Sequence, residues 1–203
     1  LYKQEYLPSQ LLTDKDIIHF CSVNLVASPM KSAHIAFIEQ AHQAGSIVSF
    51  DPNVRLPLWQ DETACRETIL AYLPKAHIVK LSHEELLFLT AIEEELSAVH
   101  TLFQGHLETI IITHGAEGAT LYTKKCHSKV HAENVQAVDT TGAGDAFIGA
   151  ILSQLLQHQL SVDHLVAYCE QHAISLLTFA NRYAGITTMK HGAIPSYPEQ
   201  LLE

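Results

Sequence analysis

Asp139-Thr140-Thr141-Gly142-Ala143-Gly144-Asp145-Ala146-Phe147 is the stretch from which the rest of the chain can be read. Two glycines around one alanine let the backbone come close to a ligand without side-chain obstruction, and the apolar run 146–152 predicts the helix that follows. The turn therefore lies at a helix N-terminus. There the N–H groups of residues 142–145 and the positive end of the macrodipole favour an anion. Asp145 beside them is free to accept a proton from an attacking hydroxyl. An anion cradle next to a general base points to phosphoryl transfer. Taken alone, Gly-x-Gly-Asp equally describes a strand-to-helix turn with Asp145 as the capping residue.

Working outward, strands and helices alternate. Residues 17–23 form a short apolar run with β-branched members. Residues 31–44 carry Ala33, Phe37, Ile38 and Ala41 at helical spacing before Gly45 ends the segment. Strands are predicted again at 46–50, 77–81 and 109–113, with helices at 63–73, closed by Pro74, and at 83–90. Continuous apolar strands between amphipathic helices indicate a mainly parallel sheet buried on both faces, a three-layer α/β/α architecture expected to form one domain over residues 1–203. Ligands should gather at the carboxyl ends of such strands. Four stretches with chemical content lie there: Asp51-Pro52-Asn53-Val54-Arg55, Lys80-Leu81-Ser82-His83-Glu84-Glu85, Thr113-His114-Gly115-Ala116-Glu117-Gly118 and the Asp145 turn. Beyond Thr113 the pattern changes to an antiparallel hairpin, 119–123 and 128–138 about the polar pair Lys124-Lys125. Two long helices, 146–157 and 162–181, and a Gly- and Pro-containing tail complete the chain.

With 203 residues and 47% hydrophobic content the chain can bury a sizeable core. Its formal charge of -10 argues against a nucleic-acid or anionic-membrane surface, which requires clustered Lys and Arg. Cys21, Cys65, Cys126 and Cys169 are far apart, which predicts buried free thiols in a reducing cytoplasm rather than a disulfide framework. No basic leader or bilayer-length apolar run is present, so a soluble cytoplasmic protein is expected. Cys126-His127 and His131 alternate like an exposed hairpin, which argues against their being a zinc site.

Thr140-Thr141 before and Ala146-Phe147 after the Gly-Ala-Gly-Asp core resemble the C-terminal signature of the ribokinase-like sugar kinases, the PfkB family. The resemblance implies a ribokinase-like fold and an ATP-dependent kinase. Asp145 would be the base for a sugar hydroxyl attacking the γ-phosphorus of ATP, and the N–H groups of Gly142, Ala143, Gly144 and Asp145 the anion hole. Ser82 and Glu85 stand at the family's Asn-x-x-Glu positions, where the acid organises Mg²⁺ through water. The same two residues also spell a helix capping box. Lys80 on the same strand end, Thr113, Gly115 and Gly118 resemble the nucleotide side of the site. Asn181, Gly192 and Ala193 resemble its adenine side. Asp139 and Thr141 resemble the element that offers oxygens to a monovalent cation such as K⁺.

Neither a Walker-type Gly-x-x-x-x-Gly-Lys-[Ser/Thr] nor a Gly-x-Gly-x-x-Gly fingerprint occurs, which excludes a P-loop kinase and weakens a dinucleotide oxidoreductase. Asp51-Pro52-Asn53-Val54-Arg55 resembles bacterial fructokinases and also 2-keto-3-deoxygluconate kinases. Asn53 and Arg55 then face substrate or phosphate, Arg55 by a bidentate guanidinium. Without the resemblance, Arg55 reads as a surface partner of Asp51 or Asp61. The family's opening strands, β lid and glycine-rich sugar motif have no counterpart in these residues. Two expectations follow: a fructokinase-like phosphotransferase, expected as a homodimer, or a remnant that binds nucleotide or self-associates through open edge strands.

Overall fold

The computed structural model describes residues 4–7 and 11–198, so residues 1–3 of the segment inspected for a leader lie outside it. Six strands form one sheet in the order β1-β2-β3-β4-β5-β6. β1 (Ile17–Cys21), β2 (Ile47–Asp51), β3 (Ile78–Ser82) and β4 (Thr109–Thr113) are parallel, and β5 (Ala119–Thr123) and β6 (His127–Val130) continue it antiparallel. Crossovers between parallel strands are right-handed, and stepping always in one direction they place their helices on one face. On that face α1 (Pro29–Ala44), α2 (Glu62–Tyr72), α3 (His83–Thr90) and α4 (Glu95–Leu102) cover Ile18, Phe20, Val48, Phe50, Val79, Leu81, Ile110 and Ile112. The alternate strand residues Ile47, Ile78 and Ile111 point the other way, against α5 (Ala143–Gln157) and α6 (Val162–Thr188). This is the three-layer α/β/α arrangement expected for the ribokinase-like fold.

Local chemistry sets the helix ends. Pro29 opens α1 in its first turn, and Gly45, at φ 74°, closes it with its N–H on the His42 carbonyl. The Asp61 carboxylate accepts the Ala64 N–H at the start of α2. Ser82 and Glu85 form a complete capping box on α3.

Several boundaries differ from the sequence reading. The first strand ends at Cys21, and Ser22–Leu25 turns as a 3-10 helix. α4 was not anticipated: it is only eight residues long, and Glu94 caps it through the N–H groups of Leu96 and Ser97. β6 stops at Val130, so residues 131–138 are not strand. α6 continues past Asn181 to Thr188, and its last carbonyl accepts the N–H groups of Val138 and Asp139. All four cysteines are free, but only Cys65 and Cys169 are buried; Cys126 is exposed because it lies at the β5–β6 turn. No helix among the described residues is long and apolar enough to cross a membrane.

Candidate active site

At the carboxyl ends of β1 to β3 the α5–α6 face of the sheet changes from apolar to polar. His19, Ser49, Asp51 and Lys80 follow Ile17, Ile47 and Ile78 at the two-residue spacing of a strand. His19 Nδ1 lies 3.0 Å from Ser49 Oγ, and Lys80 Nζ donates to Asp51 Oδ2 at 3.1 Å. Burial pushes the Asp51 carboxyl up to about 6, although Lys80 opposes the shift. Its Oδ1 has no hydrogen-bond partner among the described residues.

α5 begins directly above this pair. Gly142, at φ 80°, is its N-cap, and a Cβ there would sit 2.7 Å from Ala193 Cβ, so glycine is required by conformation and by space. A Cβ on Gly144 would lie 3.1 Å from Lys80 Nζ, so the ammonium reaches the underside of the first helical turn. A cation beside the positive end of a helix is unfavourable by itself. Asp51, Asp145 and any anion held by the turn offset it. The Gly144 and Asp145 N–H groups precede the first helical bond, Ala146 N–H to Gly142 O; the Ala143 N–H, expected to be free for an anion, donates to Thr140 O at 3.2 Å.

Asp145 is exposed in this first turn and accepts from Asn53 Nδ2 at 3.4 Å. Asn53 adopts φ 48°, which its short amide tolerates. Next to it the Val54 N–H donates to Glu85 Oε1 at 2.7 Å, and the Ser82 N–H donates to Glu85 Oε2 at 2.9 Å. Glu85 thus clamps the loop after β2 to the end of β3. Arg55 is exposed with Nη1 on the Val54 carbonyl; Asp51 pairs with Lys80 and Asp61 caps α2, which removes the surface pairing considered for Arg55.

The remaining predicted positions divide into open and structural ones. Asp139 accepts the Thr141 N–H on Oδ1 and the Gly192 N–H on Oδ2, both at 2.9 Å; bonds from Thr141 and Gly192 hold its carboxyl down to about 2. It straps the tail 191–197 to the signature turn. Gly115, at φ 57°, has nothing within 4 Å of a Cβ and leaves free space after Thr113, whereas a Cβ on Gly118 would meet the Val130 carbonyl at 2.0 Å. Gly118 therefore shapes the turn. Asn181 is buried with its amide on the Val130 carbonyl at 3.2 Å, so it first joins α6 to β6.

The model of the pfkB family of carbohydrate kinases matches residues 2–200. The chain belongs to the pfkB family. It is 40% identical over 200 residues to the protein named probable fructokinase-6, chloroplastic, of Arabidopsis thaliana, covering 98% of this chain and 51% of that protein. The fructokinase of Xylella fastidiosa with bound ATP superposes with a TM-score of 0.87 at 28% identity, covering 98% of this chain and 63% of that one. The fructokinase of Vibrio cholerae O395 in its fructose-, ADP- and calcium-bound form gives 0.83 at 31% identity, covering 97% and 61%. This pfkB chain thus spans between half and two thirds of the length of these relatives.

Around the pfkB signature, Lys80 was expected on the nucleotide side, but its buried pairing with Asp51 and the His19–Ser49 contact escaped the sequence reading. The signal was present: polar residues interrupt otherwise apolar strands, His19 in β1, Ser49 and Asp51 in β2 and Lys80 in β3. Of the metal-type side chains, Cys126, His127 and His131 do not gather; among the described residues the groups of three that do lie elsewhere, at His42, His77 and His106 and at His83, Glu95 and His114.

Proposed function

We propose that residues 1–203 form one unit carrying the nucleotide and phosphoryl-transfer part of an ATP:sugar phosphotransferase with fructose as acceptor. The observation that carries this reading is the Asp145 carboxylate, open to solvent in the first turn of α5, with the Asn53 amide on one side and Lys80 beneath Gly144. The fructose, ATP and ADP in the names of the related structures support the substrate pair.

Asp145 accepts the proton of the attacking sugar hydroxyl, and Asn53 orients its carboxylate. The Gly144 and Asp145 N–H groups, with the helix dipole, stabilise negative charge on the transferring group. Ala143 joins them once its bond to Thr140 O opens. Arg55 is free to reach a phosphate or a sugar. Thr113, Gly115, Gly192 and Ala193 border the nucleotide, and Asn181 holds the wall behind them. Each Glu85 oxygen already accepts one backbone N–H and keeps a lone pair, which fits a contact to Mg²⁺ through water better than chelation. Mg²⁺ held there through water would supply positive charge to offset the charge of the phosphates. The Asp139 carboxylate and Thr141 offer hard oxygen donors suited to K⁺.

A nucleotide-binding or self-associating module is the second reading, favoured by the position of β1 at the sheet edge, where β2 alone pairs with it among the described residues. A homodimer would use that edge. Calorimetric titration with Mg-ATP, followed by an ADP-release assay with fructose, 2-keto-3-deoxygluconate and ribose, separates the two. Sugar-dependent turnover lost in Asp145→Ala supports the kinase. Binding without turnover supports the module, and absence of ATP binding overturns both nucleotide readings.

A further inference from the structure

Outside the site described above, one group of side chains has the composition and spacing of a metal site. His83 Nδ1 lies 3.1 Å and His114 Nε2 2.7 Å from the same oxygen, Glu95 Oε2, and the three ligand-type atoms all lie within 4.8 Å of one another. They come from three elements: His83 opens α3, Glu95 opens α4 and His114 follows β4. We propose that His83, Glu95 and His114 bind a divalent transition-metal ion of the Zn²⁺ class.

The donor set is two imidazoles and one carboxylate, a combination that suits Zn²⁺ and its neighbours rather than Mg²⁺ or Ca²⁺. A tetrahedral ion with ligand bonds near 2 Å needs ligand atoms ~3.3 Å apart. The two His–Glu separations need to open only slightly to admit it. The other carboxylate oxygen, Oε1, accepts from Tyr122 OH at 2.5 Å, which fixes the plane of the carboxylate as an outer-shell partner does. Burial and the Glu95 charge push the Tyr122 phenol up, so it remains a donor. Although burial raises the Glu95 carboxyl, the bonds from Tyr122, His114 and His83 bring it below its ordinary value and keep it ionised as a ligand.

Access and tautomers are compatible with loading. The His83 side chain is 46% exposed, which gives an entry path and room for water in the open coordination positions. In the metal-free chain the His83 Nδ1–H and His114 Nε2–H groups donate to the ionised Glu95 carboxylate, and a bound ion would displace both protons. Loaded, His83 keeps its proton on Nε2 and His114 on Nδ1, which is buried with no partner among the described residues.

The second histidine group fails the same examination. The Val48 N–H donates to His77 Nδ1 at 2.9 Å, which leaves the ring proton on Nε2 and removes its lone pair from the cluster. His42 and His106 remain as a stacked pair, with ring centroids 4.3 Å apart.

The test is a titration of the metal-stripped chain with Zn²⁺ by calorimetry and with Co²⁺ by its ligand-field absorption, with circular dichroism to show that each variant folds. One saturable equivalent per chain is expected. His83→Ala and Glu95→Gln should abolish it, and Tyr122→Phe should weaken it about 10–100-fold. His106→Ala should leave it unchanged. The proposal is overturned if wild type shows no saturable equivalent, if His83→Ala binds as wild type does, or if His106→Ala loses the ion.

Discussion

The Asn53 amide donates to the Asp145 carboxylate across 92 positions of sequence, joining the loop after β2 to the first turn of α5. At 3.4 Å the bond is long, and Asp145 is exposed, so the contact orients a carboxylate more than it stabilises the fold.

Asp145→Asn should therefore leave stability within about 0.5 kcal/mol of wild type. Sugar-dependent ADP release should fall ~10²–10⁴-fold, the range of a lost general base. Asn53→Ala should lower turnover by about tenfold or less, the worth of one net hydrogen bond. Urea denaturation and steady-state kinetics on the same samples check both. An unfolded Asp145→Asn protein would show that the residue is structural.

Lys80 and Asp51 behave in the opposite way, because both are buried. Asp51→Ala leaves an unpaired ammonium under Gly144 and should cost about 3–5 kcal/mol, read from the denaturation midpoint. A loss below about 1 kcal/mol would mean that water reaches the pair.

The glycines of the site should rank by what surrounds them. Gly115→Ala meets nothing within 4 Å and should cost only the left-handed penalty, about 1–2 kcal/mol. Gly142→Ala adds a collision with Ala193 and should cost a further ~1–3 kcal/mol while loosening the 191–197 tail. Thermal melts with Mg-ATP titrations would reveal both effects, and equal melts for the two variants would contradict the packing at residue 142.

Glu85→Gln weakens two charge-assisted bonds from backbone N–H groups and should cost about 2 kcal/mol. It should also reduce Mg-ATP affinity more than metal-free ATP affinity. Calorimetry in the presence and absence of Mg²⁺ tests this, and equal losses would leave Glu85 a purely structural clamp.

Two buried groups should act on acid stability in opposite directions. Burial, helped by His42 and His106, lowers His77 from 6.5 to about 4, so its contribution is present above 6.5 and lost as pH falls toward 4. Asp51 is raised from 3.8 to about 6, so its contribution is present below 3.8 and lost as pH rises through 6. Between pH 4 and 6 the two oppose each other. Denaturation curves of His77→Gln across this range should show stability falling with rising pH more steeply than in wild type; a flatter profile would contradict the buried neutral imidazole.

Much of this architecture is legible in one dimension. Strands β1 to β4 are short, mainly apolar runs, α1 and α2 carry apolar residues at helical spacing, and Ser82 with Glu85 announces the cap of α3. Helix α4 was missed although Ala98, Val99 and Leu102 lie on one helical face, since a segment of eight residues is too short to form by itself and is held by packing of that face in the core. The shortened β6 and the extended α6 were missed for the same reason, because strand pairing and docking set their ends rather than local propensity.

Residue order alone carries the α/β class, the glycine turn that opens α5 and the carboxylate of Asp145 in its first turn, because period, glycine conformation and helix-end chemistry are local properties. Three things required the folded chain: that Asn53 meets Asp145, that Lys80 lies under Gly144 with Asp51, and that His83, Glu95 and His114 share one oxygen. Each joins separate loops across the carboxyl edge of a twisted sheet. Distances of that kind follow from strand order and helix docking, which no local pattern of residues encodes.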